Sequence, residues 1–329
     1  MFSIALFGAG RIGKVHAVNA AQHPDISIKY IVDPYDEAAR RLARQVGATV
    51  SDTATVMNDA AVAGVVIGSS TDTHADLLIR AADSGKVIFC EKPISLDIQT
   101  VKNCVDYINA KKAKCMLGFQ RRYDRSFRHV RKRIDSGEVG PIEQVLIVNR
   151  DPAPPPIEYL KVSGGQFRDM AIHDFDIARY IVQEDIATVY ATGTCRVDPA
   201  IGAIGDVDTI TVTMVTTGGR TVQIAGTRRG PMGYEQRLEV VCAKAVLKVE
   251  NLPQHTATEA DLNGLTSPPP EGFFLERYAQ AYRDEMDMFA QMMGSGAIPL
   301  ADHDDGYQAQ RLAEAAVRSW TKGEVVKLI

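Results

Sequence analysis

The stretch "MFSIALFGAGRIGKVHAVNAAQ", residues 1–22, decides the fold. A short β-rich apolar run ends in Gly8-x-Gly10-x-x-Gly13, and residues of helical composition follow, so the order is strand, tight turn, helix. Gly8 permits the turn, Gly10 lets a pyrophosphate approach the backbone, and Gly13 lets the helix pack closely on the strand. Arg11 and Ile12 open the helix whose N-terminus receives the negative charge. Alone, this glycine pattern fits an ordinary turn equally well. A second apolar run, "ISIKYIV", residues 26–32, leads directly into Asp33, about 20 residues beyond the last glycine. A carboxylate there accepts both hydroxyls of an adenosine ribose and repels a 2′-phosphate. The pair therefore predicts a dinucleotide site that favours NAD over NADP.

The alternation continues through the first third of the chain. Helix-like "DEAARRLARQV" is followed by strand "VAGVVIGSS", helix "HADLLIRAADSG", strand "KVIFCEKP", helix "DIQTVKNCVDYINAKK" and strand "AKCMLGF". Strands alternating with helices predict a parallel sheet, whose ligand lies at the carboxyl ends of the strands. Gly8 to Gly13, Asp33, Ser69, Ser70, Thr71, His74, Glu91 and Lys92 fall at those ends and are the candidate cofactor-binding residues. A lysine after a buried strand is usually a surface charge. Lys92, followed by a proline on the cofactor side, is also a candidate for chemistry.

Composition narrows the partners. The chain has 329 residues, 45% of them hydrophobic, enough for two domains with real cores, and its formal net charge of −4 gives no bulk attraction to nucleic acid or anionic membrane. The five cysteines, Cys90, Cys104, Cys115, Cys195 and Cys242, are odd in number and form no C-x-x-C pair, which fits a reducing cytoplasm rather than a disulfide framework or a structural zinc site. The opening apolar run is too short to span a membrane, and no basic leader precedes it. Small molecules are the expected partners.

After Phe119 the pattern changes: a basic helix "YDRSFRHVRKRIDSG", strand "IEQVLIVN", a proline-rich loop, and then "SGGQFRDMAIHDFDIARY", residues 163–180. Read as one helix at about 100° per residue, the last stretch puts Asp169, His173, Asp176 and Tyr180 in one stripe flanked by large apolar side chains. Ionisable groups on a largely buried helix are either a satisfied network or the wall of a site. The segments 208–230 and 234–251 each read as two strands, an antiparallel set in a second domain, residues 251–272 read as loop, and two helices close the chain. The expected fold is α/β: a Rossmann domain over 1–119 and an α/β domain on a largely antiparallel open sheet over 120–329, its last helices free to pack back on the first. The cluster Arg121, Arg122, Arg125, Arg128, Arg131, Lys132 and Arg133 reads as a solvated or subunit-facing helix, from which Arg122 is the residue nearest the domain junction.

"GAGRIG", "SSTDTHADL", "EKPISLD", "GFQRRYDRSF" and "NRDPAPPPIEYLKVSGGQFRDMAIHDFDIARY" together resemble the glucose-fructose oxidoreductase and inositol dehydrogenase family, over nearly the whole chain. Bacterial myo-inositol 2-dehydrogenases give the nearest likeness. "SSTDTH" departs from the Thr-Pro that many members carry before the histidine. The resemblance implies an NAD-dependent, cytoplasmic polyol dehydrogenase, a homotetramer through its open sheet, with Lys92, Asp169 and His173 as catalytic residues. It also implies that Arg122, Asp151 and Tyr234 bind substrate with them; spacing alone does not select those three. The implied reaction is oxidation of myo-inositol at C2 to scyllo-inosose, with His173 taking the hydroxyl proton and no metal.

Other readings of the same residues stay open at the level of sequence. Asp169, His173 and Asp176 suit a divalent metal, although no second histidine is placed for one. The His–Asp pair fits a buried structural network, and Cys90 or Cys195 beside a histidine would make a semialdehyde dehydrogenase. A silent NAD-binding sensor needs only the glycines and Asp33. Ring stereochemistry is not legible, so scyllo-inositol, chiro-inositol or an aldose competes with myo-inositol as substrate.

Overall fold

The computed structural model describes residues 1–328. The chain divides into two compact units, one made of Met1–Tyr123 with Gln280–Gln308, the other of Asp124–Ala279 with the residues from Ala309 on.

The first unit begins with β1 (Phe2–Phe7), α1 (Arg11–Gln22), β2 (Ile26–Val32), α2 (Asp36–Val46), β3 (Thr49–Val50), α3 (Thr53–Asn58) and β4 (Gly64–Ile67). It continues with α4 (Thr71–Asp83), β5 (Val87–Cys90), α5 (Ile98–Lys111) and β6 (Cys115–Leu117). The strands form one parallel sheet in the order β3-β2-β1-β4-β5-β6. Ile4 to Leu6 and Val65 to Ile67 are fully buried, as parallel strands covered on both faces must be. The strand order reverses between β1 and β4, and a crevice for ligand opens at such a switch point.

In the second unit, α6 (Arg125–Asp135) precedes β7 (Ile142–Arg150), α7 (Ile157–Ser163), a π-helical turn (Gln166–Met170), α8 (Ile172–Val182), β8 (Ile186–Thr194) and α9 (Pro199–Ala203). Then come β9 (Thr209–Thr216), β10 (Thr221–Thr227), β11 (Glu235–Cys242), β12 (Ala245–Val249), the small pair β13 (Glu259–Asp261) and β14 (Gly264–Thr266), and α10 (Phe274–Arg277). The chain closes with α11 (Ala279–Gly294), which lies in the first unit from Gln280 on, α12 (His303–Lys322) and β15 (Val326–Lys327). The seven-stranded sheet runs β12-β11-β7-β10-β9-β8-β15. It is mostly antiparallel and becomes mixed because β10 pairs with β7 in parallel. α8 and α6 pack against β7 and β12, while Thr211, Gln223 and Ala225 are exposed on their strands.

The sequence reading needs correction at three places. Residues 251–272 hold the hairpin β13–β14 rather than loop alone. The helix expected from Phe274 breaks at Tyr278 into α10 and α11. The segment 163–180 is not one α-helix: Gly164 and Gly165 take φ of 89° and 82°, the π turn follows, and α8 begins only at Ile172. Among the described residues, no helix is long and apolar enough to cross a membrane.

Candidate functional site

The glycine loop of the first unit separates packing from binding. At Gly8, φ is 100° and a Cβ would meet the Gly68 carbonyl oxygen at 2.5 Å; at Gly13 a Cβ would meet the Gly8 carbonyl oxygen at 2.0 Å. A Cβ at Gly10 would meet nothing within 4 Å. The first and third glycines thus let β1, β4 and α1 close on one another, and the second keeps an open approach at the N-terminus of α1. Exposed Arg11 and half-buried Ile12 start that helix, whose first turn carries no acidic residue. Gly13→Ala should therefore cost at least about 1–3 kcal/mol of stability through overpacking against backbone. Gly10→Ala should keep the wild-type melting temperature and lose NAD affinity. Thermal melts with and without NAD separate the two.

Asp33, half-buried at the end of β2, accepts the Ala9 amide at 2.6 Å through Oδ2 and the Tyr35 amide at 2.8 Å through Oδ1. It therefore holds the glycine loop to the end of β2. Pro34, Tyr35, Asp36, Glu37, Ala38 and Arg41 line an open depression of ≈ 420 Å³ beside it. Asp36 pairs with Arg40 at 2.6 Å and Arg41 lines the same depression, so the charge around Asp33 is mixed. Asp33→Ala should lower the NAD-over-NADP preference in kcat/KM by about 10-fold or more, the scale of a lost charged hydrogen bond. An unchanged ratio would remove Asp33 from ribose recognition, whatever happens to overall affinity.

The loops after β4 and β5 are tied together. Ser69 Oγ lies 2.6 Å from Thr73 Oγ1, and Ser70 and Thr71 begin α4. Buried His74 sets Nδ1 2.8 Å from the Pro93 carbonyl oxygen and Nε2 3.1 Å from that of Ser69. Its nitrogens face backbone, so His74 supports the loop that carries Lys92. Glu91 is buried: Oε1 lies 2.7 Å from His16 Nε2, Oε2 accepts the Lys92 amide at 3.3 Å, and a Cβ at Gly118 would sit 2.8 Å from its carboxyl. Burial, and after it the charge of Glu91, pushes the Glu285 carboxyl well above the usual carboxylate range. Glu91 is therefore clamped, and with it the backbone of half-buried Lys92. Arg122 is buried, with Nη1 donating to the Leu300 carbonyl oxygen at 2.6 Å and pairing with Asp305 at 2.8 Å.

In the second unit, the π turn places Asp169, and the first turn of α8 places His173, both half-buried. The Ala171 amide reaches back to the Gln166 carbonyl oxygen at 2.9 Å, a five-residue step, so the 100° wheel does not apply between Asp169 and His173. Asp206 sets the start of this turn: its Oδ1 accepts the Gln166 amide at 3.0 Å and would lie 2.7 Å from a Cβ at Gly165. Tyr159 donates to Asp169 Oδ1 at 3.0 Å. Asp174 is structural, accepting Asn149 Nδ2 at 2.8 Å, while Asn149 Oδ1 takes Gln236 Nε2 at 2.5 Å. Asp176 is buried as well.

Asp151 follows β7, its amide donating to the Thr227 carbonyl oxygen at 3.1 Å and its carbonyl accepting Gly230 at 2.6 Å. Buried Tyr234 sits before β11 and sets its ring edge-on to Phe273 and Tyr278. His16, Tyr159, Asp206 and Arg228 were not singled out by sequence. Each acts through a long-range contact that no local pattern announces.

The cysteine alternative loses its basis. Burial holds the Cys90 thiol well above its ordinary range, and burial followed by a hydrogen bond to Asp208 raises Cys195, so neither is an activated thiolate. In the arginine-rich segment Arg133 pairs with Glu138 at 2.6 Å, and Arg131 pairs with Asp135 at 2.9 Å and stacks over Tyr180, while Arg125, Arg128 and Lys132 are exposed. Among the described residues, no group of three or more His, Cys, Asp or Glu side chains is arranged to hold a metal ion.

A glycine loop at the β1/β4 switch point, with a carboxylate closing β2, defines a dinucleotide-binding protein, here with a separate sheet domain. The chain is a member of the GFO/IDH/MocA oxidoreductase family: residues 2–119 match its NAD-binding Rossmann fold and residues 127–248 its C-terminal domain. It is 43% identical, over 95% of each chain, to a protein of Rhizobium meliloti (strain 1021) named inositol 2-dehydrogenase. Among solved structures, a putative myo-inositol dehydrogenase from Sinorhizobium meliloti 1021 superposes with a TM-score of 0.97 at 41% identity over 100% of each chain. The scyllo-inositol dehydrogenase from Lactobacillus casei, solved with NAD(H) and scyllo-inositol, gives 0.92 at 27% identity over 99% of each.

Proposed function

We propose that this protein is an NAD-dependent polyol dehydrogenase whose first substrate is myo-inositol, oxidised at C2 to scyllo-inosose. The observation that carries this reading is the near full-length likeness to proteins named inositol dehydrogenases, on a chain whose second glycine leaves dinucleotide space open. Gly8, Gly10, Gly13, Asp33 and the N-termini of α1 and α4 hold the cofactor, with Glu91 fixing the Lys92 loop. Bound NAD supplies the hydride acceptor.

The remaining work falls to side chains. Neutral His173 accepts the hydroxyl proton as the C–H bond breaks and the carbonyl forms. The Lys92 ammonium stabilises the negative charge that develops on that oxygen. Asp169 binds a neighbouring hydroxyl and favours the imidazolium formed at His173. Arg122, Asp151 and Tyr234 bind the other ring hydroxyls. Carboxylates among these residues favour an uncharged polyol over a phosphorylated or acidic one. In this reading the first unit holds the cofactor and supplies Lys92 and Arg122, and the second supplies the remaining substrate residues and the open sheet through which a cytoplasmic homotetramer forms.

Initial rates with NAD across myo-, scyllo- and chiro-inositol and a set of aldoses test the assignment. The highest kcat/KM should fall on myo-inositol. A higher value for scyllo-inositol or an aldose would reassign the substrate within the same chemistry, and no turnover of any polyol would leave an NAD-binding sensor.

A further inference from the structure

The second unit buries an arginine between two aspartates, and nothing in the proposed chemistry yet uses it. Arg228, 1% exposed, follows β10 with Nη1 3.9 Å from Asp169 Oδ2 and Nη2 3.8 Å from Asp206 Oδ2. These are charge contacts, longer than hydrogen bonds, and Nε and Nη2 of Arg228 and Oδ2 of Asp206 are buried without a hydrogen-bond partner. A buried cation held this loosely is a poor device for stability, since desolvation costs more than such contacts return. In so dry a setting its field on nearby groups is large.

We propose that Arg228 and Asp206 are positioning residues that set the charge felt at Asp169 and, through it, the basicity of His173. This rests on the roles given above to Asp169 and His173. Two carboxylates and one guanidinium leave a single net negative charge in the trio. Asp206 also fixes the backbone of the π turn that carries Asp169, so geometry and charge are controlled by the same side chain. The surrounding charged and titratable groups are otherwise engaged. Tyr159 of α7 donates to Asp169, Arg168 pairs with Glu314 of α12, Asp174 is held by Asn149 of β7, and Asp208 accepts three backbone amides from residues 196–198. Those bonds outweigh its burial and hold the Asp208 carboxyl down at about 2. The Asp208 carbonyl accepts the Arg228 amide at 2.8 Å and so anchors the arginine's backbone.

The test is the sign of a shift. Asp206→Asn keeps the shape and an oxygen for the Gln166 amide but removes a negative charge, so the acid limb of kcat/KM should move to lower pH. Arg228→Gln removes the positive charge and should move it to higher pH, each by about half a unit or more. The double variant should return close to wild type. Opposite shifts that cancel have no explanation in packing alone. Unmoved limbs, or shifts of the same sign, would overturn the proposal even if stability falls. Should Arg228→Gln fail to fold, Asp206→Asn and Arg228→Lys decide: the first must still move the limb down and the second must leave it in place. Asp169→Asn and His173→Ala, measured alongside, separate this from the underlying reading, which fails only if those two leave the limb unaltered.

Discussion

The His173→Ala variant should lose on the order of 10²–10⁴ in kcat for polyol oxidation, the usual contribution of a general base, while its NAD affinity changes by less than about threefold. The loss is confined to chemistry because His173 is placed by α8, in the second unit, whereas the glycine cradle and Asp33 lie in the first. Wild-type kcat/KM should rise with pH as the free enzyme's base loses its proton, and that limb should vanish in the variant. Asp169→Asn should act differently. It keeps the side chain's size while removing a charge that favours the imidazolium, so the limb persists at a lower apparent pKa. A substrate deuterated at the reacting carbon shows whether hydride transfer is visible behind product release. With that isotope effect expressed, an unaltered limb in both variants would reduce Asp169 and His173 to packing.

Lys92→Met should cost about 10²–10³-fold in kcat, the scale of one lost donor to a developing oxyanion, and leave NAD binding largely intact. Methionine keeps much of the side-chain length. The backbone of residue 92 stays clamped by Glu91, which is itself held by His16 and seated against Gly118, so the loop after β5 should not move. Binding by fluorescence or calorimetry, set beside steady-state turnover, tells the cases apart. Near-normal turnover would return Lys92 to an ordinary surface charge, and loss of NAD binding would make it a cofactor ligand first.

What was legible in the sequence is what local rules write. Gly8 and Gly13 are required by backbone sterics, Gly10 by the open approach that its missing side chain leaves, and Asp33 is marked by its place at the end of the next strand, so the cofactor half could be read without knowing the sheet order. The segment 163–180 reads locally as one helix, and nothing in it announces the π turn. It depends on Asp206, 40 residues further on, accepting the Gln166 amide. Arg228 is hidden for the same reason: "TRRG" reads as the polar end of a strand, and only tertiary packing takes one arginine inside. The return of residues 280–308 to the first unit was likewise illegible in detail. Gly64 shows its cause, since a Cβ there would sit 2.8 Å from the Phe289 ring and 2.9 Å from the Met293 sulfur of α11. Short edge strands such as β3 and β15 carry too few residues for any periodicity.

The central claim is that hydride leaves a ring carbon of a polyol for NAD. The most direct measurement follows the label: the wild-type protein is incubated with NAD and myo-inositol carrying deuterium at C2, and the reduced cofactor and the sugar product are examined by mass spectrometry and NMR. The NADH should carry the deuterium, the product should hold a ketone at C2, and the rate should be slower than with unlabelled substrate. Unlabelled NADH, or myo-inositol recovered unchanged with no NADH formed, would contradict that claim.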